Sequence, residues 1–422
     1  MNTIGKTRYS NIPIITENRK LEQNNSTRKP NLKNLVFLLG VSGILGIVVM
    51  SSHGARNESF TDEPTSNTTV TSKCPRRIIG YYDQGSKKIF TSEQLSKLTH
   101  LIIEPTLDMY NITHLFYKAR REKELKELIK IARNVTDLKI MFSLKFSKIH
   151  FENPWRKDLM TDISLYLHDF QLDGFDMDVK WLDPATEFSK VVEFCKELKL
   201  LMHGKPLLIS AIYPKHKPSI DFQGVLEHFD FLTIHTSNYY APWIRSFPYL
   251  IGPPSPLYSK HGKLPKENID HSMMEYSCST KQPNKLNILI AFTSIWWDNV
   301  VLPENSSDTF WMRAEPKRGG YDGGWLSWDQ LKSGSRWKFS KVSWNNDSKT
   351  PYIWIPEKQS YLAFENKRSM RAKLKYAMSK NIGGLAVWRI EHDDEANTML
   401  GALSSENFNS EICDNSVKYD CD

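Results

Sequence analysis

The chain has 422 residues, enough for one large α/β barrel or for two ordinary domains. A content of 40% hydrophobic and 25% charged residues is typical of a globular protein and excludes a disordered or collagen-like chain. The formal net charge is +8, but residues 1–33 hold seven basic and two acidic side chains, and this segment alone supplies +5. The remainder is only mildly basic, so we do not expect the protein to bind nucleic acid.

An uncharged segment follows the basic one. Residues 34–55 contain no charged side chain, and a helix of that length, rising about 1.5 Å per residue, can cross a hydrocarbon core of roughly 30 Å. Because the basic residues precede it, the positive-inside rule leaves the N-terminus in the cytosol. We predict a cytoplasmic tail over 1–33 and a transmembrane signal-anchor over 34–55, in a single-pass type II orientation with the bulk of the chain extracellular or luminal. The alternative is a cleaved signal peptide and a secreted protein, although the charged region is long for one.

Residues 56–73 are rich in Ser, Thr and Asn and poor in apolar side chains, as expected of a solvated stalk. The main domain is therefore predicted over 74–422. Asn-X-Ser/Thr motifs, which accept N-linked glycans on proteins outside the cytosol, follow the predicted membrane segment. They are at Asn57, Asn67, Asn111, Asn134, Asn305 and Asn346.

The five cysteines permit two disulfide bonds and one free thiol. They are Cys74, Cys195, Cys278, Cys413 and Cys421. Their spacing does not establish the pairing, and our preferred hypothesis joins Cys74 to Cys413 or Cys421, which would tie the two ends of the domain together. Neither the cysteines nor the histidines have the spacing of metal ligands, so we expect no metal and no cofactor.

Short apolar runs alternate with amphipathic segments from residue 76 onward. Helices are predicted where apolar residues recur at three- and four-residue spacing, as over 121–134 and 186–203. The predicted strands are 77–82, 100–104, 139–144, 173–179, 207–213, 231–236, 287–292 and 383–388. Eight strands, each followed by a crossover segment, predict a (β/α)8 TIM barrel. An open doubly wound sheet is the alternative, but the chain lacks a Gly-rich phosphate loop.

About ninety residues separate the last two predicted strands, which is too long for an ordinary βα loop. They contain Gly, Trp and short β-type runs, so we predict a small α+β insertion over about 297–362. Functional groups of a TIM barrel lie at the carboxyl ends of its strands. This rule places Asp178 and Lys180 at the mouth.

The segment 173–180, DGFDMDVK, resembles the Asp-x-x-Asp-x-Asp-x-Glu signature of glycoside hydrolase family 18, the chitinases. The resemblance covers roughly 74–422, since the first strand contains IIGYY, the last contains GGLAVW and a long insertion precedes the last strand. It implies a TIM barrel whose partner is chitin or a related N-acetylglucosamine glycan.

In that family the final glutamic acid of the signature protonates the glycosidic oxygen, and the substrate's own N-acetyl oxygen attacks the anomeric carbon. This chain has Lys180 at that position. A lysine ammonium, with a reference pKa of about 10.4, is a poor acid near neutrality. We therefore expect no hydrolase activity. The degenerate signature positions are Asp173, Asp176, Asp178 and Lys180, of which the first two are most simply architectural.

Other positions implied by the resemblance are changed as well. The Tyr and Asp that hold the acetamido group in the family correspond to Ser237 and Asn238. Tyr81 and Ser143, which hydrogen-bond the middle aspartate in the family, are retained, and so is Trp388, which matches the tryptophan beneath the sugar. The residues predicted to contact a glycan are Tyr81, Asp178, Asn238 and Trp388.

Three functions are compatible with these residues. We favour a membrane-anchored, inactive chitinase-like protein that binds chitin or related glycans; a scaffold with a closed cleft is the alternative, and a hydrolase with displaced catalytic groups is less favoured. Strand alternation places Asp176, Asp178 and Lys180 on one face. Lys145 on the neighbouring strand has the matching parity, so we hypothesise that these two lysines and two aspartates form a buried, charge-compensated cluster.

Overall fold

The computed structural model describes most of the chain from residue 76 onward, and the described residues all lie in one compact unit. They are 76–105, 122–152, 155–180, 182, 184–202, 205–260, 264–302, 309–317, 320–404 and 415–421. The tail, membrane segment and stalk predicted over 1–73 lie outside these ranges. Within the described ranges, no helix has the length and apolar character needed to span a bilayer.

In chain order, the described residues form seven strands of the barrel first, then seven strands of the insertion, and then the last strand of the barrel. They are β1 Arg77–Asp83, β2 His100–Glu104, β3 Lys139–Lys145, β4 Gly174–Asp178, β5 Leu208–Tyr213, β6 Phe231–Ile234, β7 Leu286–Ile290, β8 Thr293–Trp297, β9 Val300–Val301, β10 Arg313–Ala314, β11 Gly323–Ser327, β12 Ser343–Asn345, β13 Thr350–Ile355, β14 Ser360–Ala363 and β15 Gly384–Trp388.

Eight parallel strands close into a barrel in the order β1-β15-β7-β6-β5-β4-β3-β2. Each of the eight predicted strands coincides with one of them to within two residues at either end, so the predicted (β/α)8 barrel is confirmed. The runs could be predicted because strands of a parallel barrel are buried on both faces and therefore read as apolar segments.

One residue parity on each strand faces the barrel interior. The buried interior residues are Ile79, Tyr81, Ile102, Met141, Ile212, Phe231, Leu289 and Ala386. Because side chains on a strand alternate between its two faces, residues two positions further along these strands point towards the mouth. This geometry gathers the carboxyl-terminal side chains of β1, β2, β4 and β15 at one place.

The helices pack around the barrel or within the insertion. They are α1 Ser92–Leu95, α2 Glu122–Arg133, α3 Trp155–Asp169, α4 Pro184–Leu201, α5 Phe222–Leu226, α6 Ile269–Thr280, α7 Trp328–Ser333, α8 Lys367–Ser379 and α9 Thr398–Ser404. Helix α2 buries Leu125, Leu128, Ile129 and Ala132 on one face, as its spacing predicts. Helix α6 begins after Asn268, whose side chain accepts a hydrogen bond from the His271 amide at 2.9 Å.

The insertion between β7 and β15 is built around a five-stranded antiparallel sheet of order β11-β8-β14-β13-β12, with the short helix α7 beside it. It begins at Thr293, a few residues before the boundary predicted from the sequence, because β8 follows β7 almost directly. The predicted α+β character of this region agrees with the structure.

A disulfide bond joins Cys278 on α6 to Cys421 in the C-terminal segment. Cys195 is buried and free. Cys421 is therefore not the partner of Cys74, and that alternative of the predicted pairing is wrong. Cys74 and Cys413 lie outside the described residues, so a bond between them stays a prediction. The bond between Cys278 and Cys421 ties the C-terminal segment to a barrel helix, and Tyr419 of that segment hydrogen-bonds Tyr376 of α8 with an O–O distance of 2.6 Å.

Candidate functional site

Asp176 lies at the centre of the barrel and is fully buried. Its carboxylate accepts hydrogen bonds from Ser143 at 2.7 Å, Ser210 at 2.5 Å and Tyr81 at 3.4 Å. Burial raises the pKa of Asp176 to about 6, while the two serine hydroxyls act in the opposite direction. The resemblance predicted the Tyr81 and Ser143 contacts but not Ser210, which lies opposite Asp176 on the neighbouring strand β5.

Lys180 forms an ion pair with Asp178 just above this layer. The two side chains are 7% and 5% exposed, so the pair is almost completely buried. The ammonium is held in place by Asp178, two residues earlier in the chain.

Lys145 does not join this buried pair. It is paired in register with Asp178 across β3 and β4, as strand parity predicted, but its side chain is exposed. The prediction of a buried cluster of two lysines and two aspartates is therefore wrong. Lys145 is the last residue of β3, where the strand reaches the rim and a long side chain can extend into solvent.

Trp388, the last residue of β15, is half-buried at the mouth. The Lys180 Nζ lies 4.8 Å from the centroid of its indole ring, and the Arg389 Cζ lies 5.0 Å from it. The Tyr81 ring packs against it with a centroid distance of 5.1 Å. The tryptophan predicted to lie beneath a sugar is thus in contact with two cations and a phenol ring.

Arg389 is held by carboxylates from two other strands. It forms an ion pair with Asp83 at the end of β1, and its Nε lies 2.8 Å from the Glu104 Oε2 at the end of β2. Glu391 accepts a hydrogen bond from the Asp83 amide at 3.2 Å. Burial raises the pKa of Glu104 to about 8, opposed by Arg389 and Lys180, and raises the pKa of Glu391 to about 7.

Our sequence analysis did not predict roles for Asp83, Glu104 and Arg389. The sequence marks these three residues only by their position. Each stands at or just after the carboxyl end of a predicted strand, where functional groups of a TIM barrel lie. The contacts among them join residues about 300 positions apart in the chain and depend on barrel closure.

Ser237 is buried and Asn238 is half-buried after β6. Asn238 has a left-handed backbone conformation with φ of 56°, which asparagine tolerates better than most residues. Nearby His235 is half-buried, and loss of solvation together with the charge of Lys180 holds its pKa well below the usual value. The predicted glycan contacts of Asn238, Tyr81, Asp178 and Trp388 stay predictions.

Asp173 lies at the opposite, amino end of β4. Its Oδ2 accepts a hydrogen bond from the Ile140 amide at 2.8 Å and pairs with Arg133 Nη1 at 2.8 Å. These contacts tie β3, β4 and helix α2 together, which agrees with the architectural role expected of this aspartate.

Of the six predicted glycosylation sites, Asn134 and Asn346 lie among the described residues and both are exposed. Asn57, Asn67, Asn111 and Asn305 lie outside them. No group of three His, Cys, Asp or Glu side chains in the described part of the chain is arranged to hold a metal ion.

Comparison with known proteins defines the class to which this barrel and its mouth belong. The family model for glycosyl hydrolases family 18 matches residues 77–393, from β1 to the segment after β15. This match covers most of the chain. The chain therefore belongs to glycosyl hydrolase family 18.

The individual relatives are distant. A probable endochitinase of Caenorhabditis elegans is 20% identical over 258 residues, and the match covers 57% of this chain and 40% of the relative. The chain thus corresponds to less than half of that protein.

Among solved structures, human YKL-39, described as a pseudo-chitinase with retained chitooligosaccharide binding, superimposes with a TM-score of 0.64 at 18% identity. The match covers 78% of this chain and 99% of that one. An N-acetylglucosaminidase of Paenibacillus barengoltzii gives a TM-score of 0.63 at 19% identity, with coverage of 78% and 99%. At these identities the similarity establishes the fold alone.

Proposed function

We propose that this chain is a chitinase-like protein that does not hydrolyse glycosidic bonds and that binds N-acetylglucosamine glycans at the mouth of its barrel. The observation that carries the proposal is the buried ion pair between Lys180 and Asp178. By the resemblance of residues 173–180 to the family signature, Lys180 stands where the family's reaction requires a protonated carboxyl, and its burial as an ammonium paired with Asp178 supports the proposal.

The chemistry supports the absence of hydrolysis. General acid catalysis is most efficient when the pKa of the acid lies near the working pH, and the reference pKa of lysine lies about three units above neutrality. The partners of the acetamido group are altered too, since Ser237 and Asn238 stand where the family has Tyr and Asp. Both the proton donor and the groups that position the internal nucleophile are therefore changed.

The retained aromatic groups support binding. Trp388 presents a large apolar surface at the mouth, and Tyr81 packs against it from inside the barrel. An aromatic face contributes apolar contact area to a sugar ring. The retained chitooligosaccharide binding described for human YKL-39 is consistent with a family 18 barrel that binds without turnover.

The test measures binding and hydrolysis together on the full-length protein. We expect weak but specific binding of chitotetraose and no release of chromophore from a chromogenic chitobioside. Trp388→Ala should reduce the affinity, whereas Trp344→Ala, on strand β12 of the insertion, should leave it unchanged. Binding that does not respond to Trp388→Ala would exclude this mouth as the glycan site.

A second function is favoured by the contacts of Trp388. Lys180 and Arg389 both lie within about 5 Å of the Trp388 ring centroid, so side chains of the protein itself fill the space beside this ring at the mouth. A scaffold protein with a closed cleft would show these contacts permanently. Complete absence of chitotetraose binding by the folded protein would favour this function over the first.

We also propose that the protein is a single-pass membrane protein with its barrel outside the cytosol. The supporting observations are the basic tail, the uncharged segment 34–55 and the Asn-X-Ser/Thr motifs that follow. Protease added to intact cells should remove the barrel and leave the tail protected. Recovery of the intact protein in the medium would favour secretion instead.

A further inference from the structure

Two cationic side chains from separate parts of the chain lie against the indole ring of Trp388. Lys180 reaches it from the end of β4, and Arg389 follows it directly at the end of β15. Their charged groups lie 4.8 Å and 5.0 Å from the ring centroid, within the range of a cation–π contact. We refer to Lys180, Trp388 and Arg389 as the cation clamp.

The two cations of the clamp differ in the stiffness of their side chains. Arg389 is paired with Asp83 and Glu104, two carboxylates on separate strands, and its guanidinium is planar and rigid. Lys180 forms an ion pair with Asp178, and its ammonium is carried on a flexible four-carbon stem. The arginine is therefore the fixed half of the clamp and the lysine is the movable half.

A stacked sugar and the Lys180 ammonium compete for the same space. Carbon atoms in contact are separated by about 3.5–4.0 Å, so a sugar ring lying on the indole occupies the layer in which the ammonium now lies. Both cannot contact that face of the ring at once.

We propose that the cation clamp is an autoinhibitory contact: Lys180 covers the glycan-binding face of Trp388, and a glycan binds only after the lysine side chain rotates away towards solvent. This inference rests on the proposed glycan-binding function. It adds that the affinity for a glycan is reduced by the free energy needed to displace the Lys180 side chain from the Trp388 ring.

The decisive variant is Lys180→Ala combined with Asp178→Asn. Alanine uncovers the ring, and asparagine avoids leaving a buried carboxylate without its cation. Because Asp178 is itself a predicted glycan contact, Asp178→Asn alone measures the effect of that change on binding. Lys180→Arg, which keeps a cation beside the ring, is the matched control. We expect the double variant to bind chitotetraose at least tenfold more tightly than the wild type, and the control to bind like the wild type.

A second measurement reports on the clamp without any glycan. Full-length protein labelled with 5-fluorotryptophan gives fluorine NMR signals whose relaxation by a soluble gadolinium chelate increases with solvent exposure. Trp243, which is 48% exposed, and Trp297, which is fully buried, provide the internal scale. The three signals are assigned by Trp→Phe substitution at each position.

We expect the Trp388 signal of the wild type to be relaxed less than that of Trp243, and the double variant to increase its relaxation. A wild-type Trp388 as accessible as Trp243, or a signal that does not change in the folded double variant, would overturn the clamp. If the double variant exposes Trp388 but neither protein binds chitotetraose, the clamp exists and the proposed glycan binding is wrong. If the double variant does not fold, the wild-type signal alone still decides whether the ring is covered.

Discussion

Two buried lysine–carboxylate pairs in this molecule differ in how fully their carboxylates are hydrogen-bonded and in where they lie in the barrel. Behind the barrel, Lys373 of α8 contacts both oxygens of Glu365, at 2.8 Å and 2.7 Å, and Ser369 donates to the same carboxylate at 2.5 Å. At the mouth, Lys180 contacts one oxygen of Asp178, and the other has no hydrogen-bond partner among the described residues.

A buried ion pair stabilises a fold only when the other hydrogen-bonding positions of its two groups are also filled. The pair of Lys373 and Glu365 largely meets this condition. It joins the insertion, through the segment after β14, to a barrel helix. The second pair joins the last residue of β4 to Lys180 just after it, and the lysine lies beside the Trp388 ring at the mouth. Its location points to the reaction centre of the family rather than to the packing of the barrel.

The largest expected loss of stability follows from breaking the ion pair of Lys373 and Glu365. Lys373→Ala leaves Glu365 buried without its cation, which should lower the free energy of unfolding by about 3–5 kcal/mol. Lys367→Ala, at an exposed position of the same helix, should change it by less than about 0.5 kcal/mol. Urea denaturation of both variants measures the difference. Equal stabilities would mean that the buried pair does not support the fold as its contacts indicate.

The next effect sharpens the interpretation of the mouth. Lys180→Glu places a third carboxylate beside Asp176 and Asp178 and removes their cation, so we expect a loss of about 3 kcal/mol, at the low end of the range for buried pairs. Hydrolysis should not return, since Ser237 and Asn238 still replace the groups that position the acetamido. Thermal unfolding and a chitobioside assay measure both outcomes. A variant as stable as the wild type that turns over substrate would show that the site is one substitution from an enzyme.

The pH dependence of stability should report on Glu104. Its pKa in the folded state is raised to about 8, whereas the unfolded carboxyl loses its proton near pH 4.3. Between these values the unfolded state binds fewer protons than the folded state, so stability falls as the pH rises, by up to about 1.4 kcal/mol per pH unit. Glu104→Gln should flatten this fall between pH 5 and pH 8.

Glu395→Gln, at an exposed position, is the control for Glu104→Gln and should keep the wild-type slope. The slope that persists in Glu104→Gln is expected to come in part from Glu391, whose pKa is raised to about 7. Identical slopes in all three proteins would show that Glu104 is already ionised at pH 5 and fully paired with Arg389.

The smallest effect is expected at the amino end of the barrel. Arg133 and Asp173 form an ion pair whose side chains are 37% and 27% exposed. Solvent screens such a pair, so Arg133→Ala should lower stability by no more than about 1 kcal/mol. A loss as large as that of Lys373→Ala, measured in the same urea titration, would contradict the distinction between buried and exposed pairs on which the comparison depends.

The sequence predicted the barrel and part of the site for physical reasons that can be named. Buried parallel strands read as apolar runs, and strand alternation places Asp176, Asp178 and Lys180 on one face. Alternation fixes the face of the sheet but not whether a side chain at a strand end turns inward, which is why Lys145 was misplaced. The contacts of Arg389 with Asp83 and Glu104 cross the closure of the barrel, and no local pattern reports them.

The central claim is that an ammonium has replaced the catalytic acid, and the most direct test is the release of chromophore from a chromogenic chitobioside by the purified wild-type protein between pH 4 and pH 9. We predict a rate equal to that of buffer at every pH. Turnover above that of buffer that disappears in Asp178→Asn would contradict the claim. If the turnover also disappears in Glu104→Gln, Glu104 would be identified as a displaced catalytic acid.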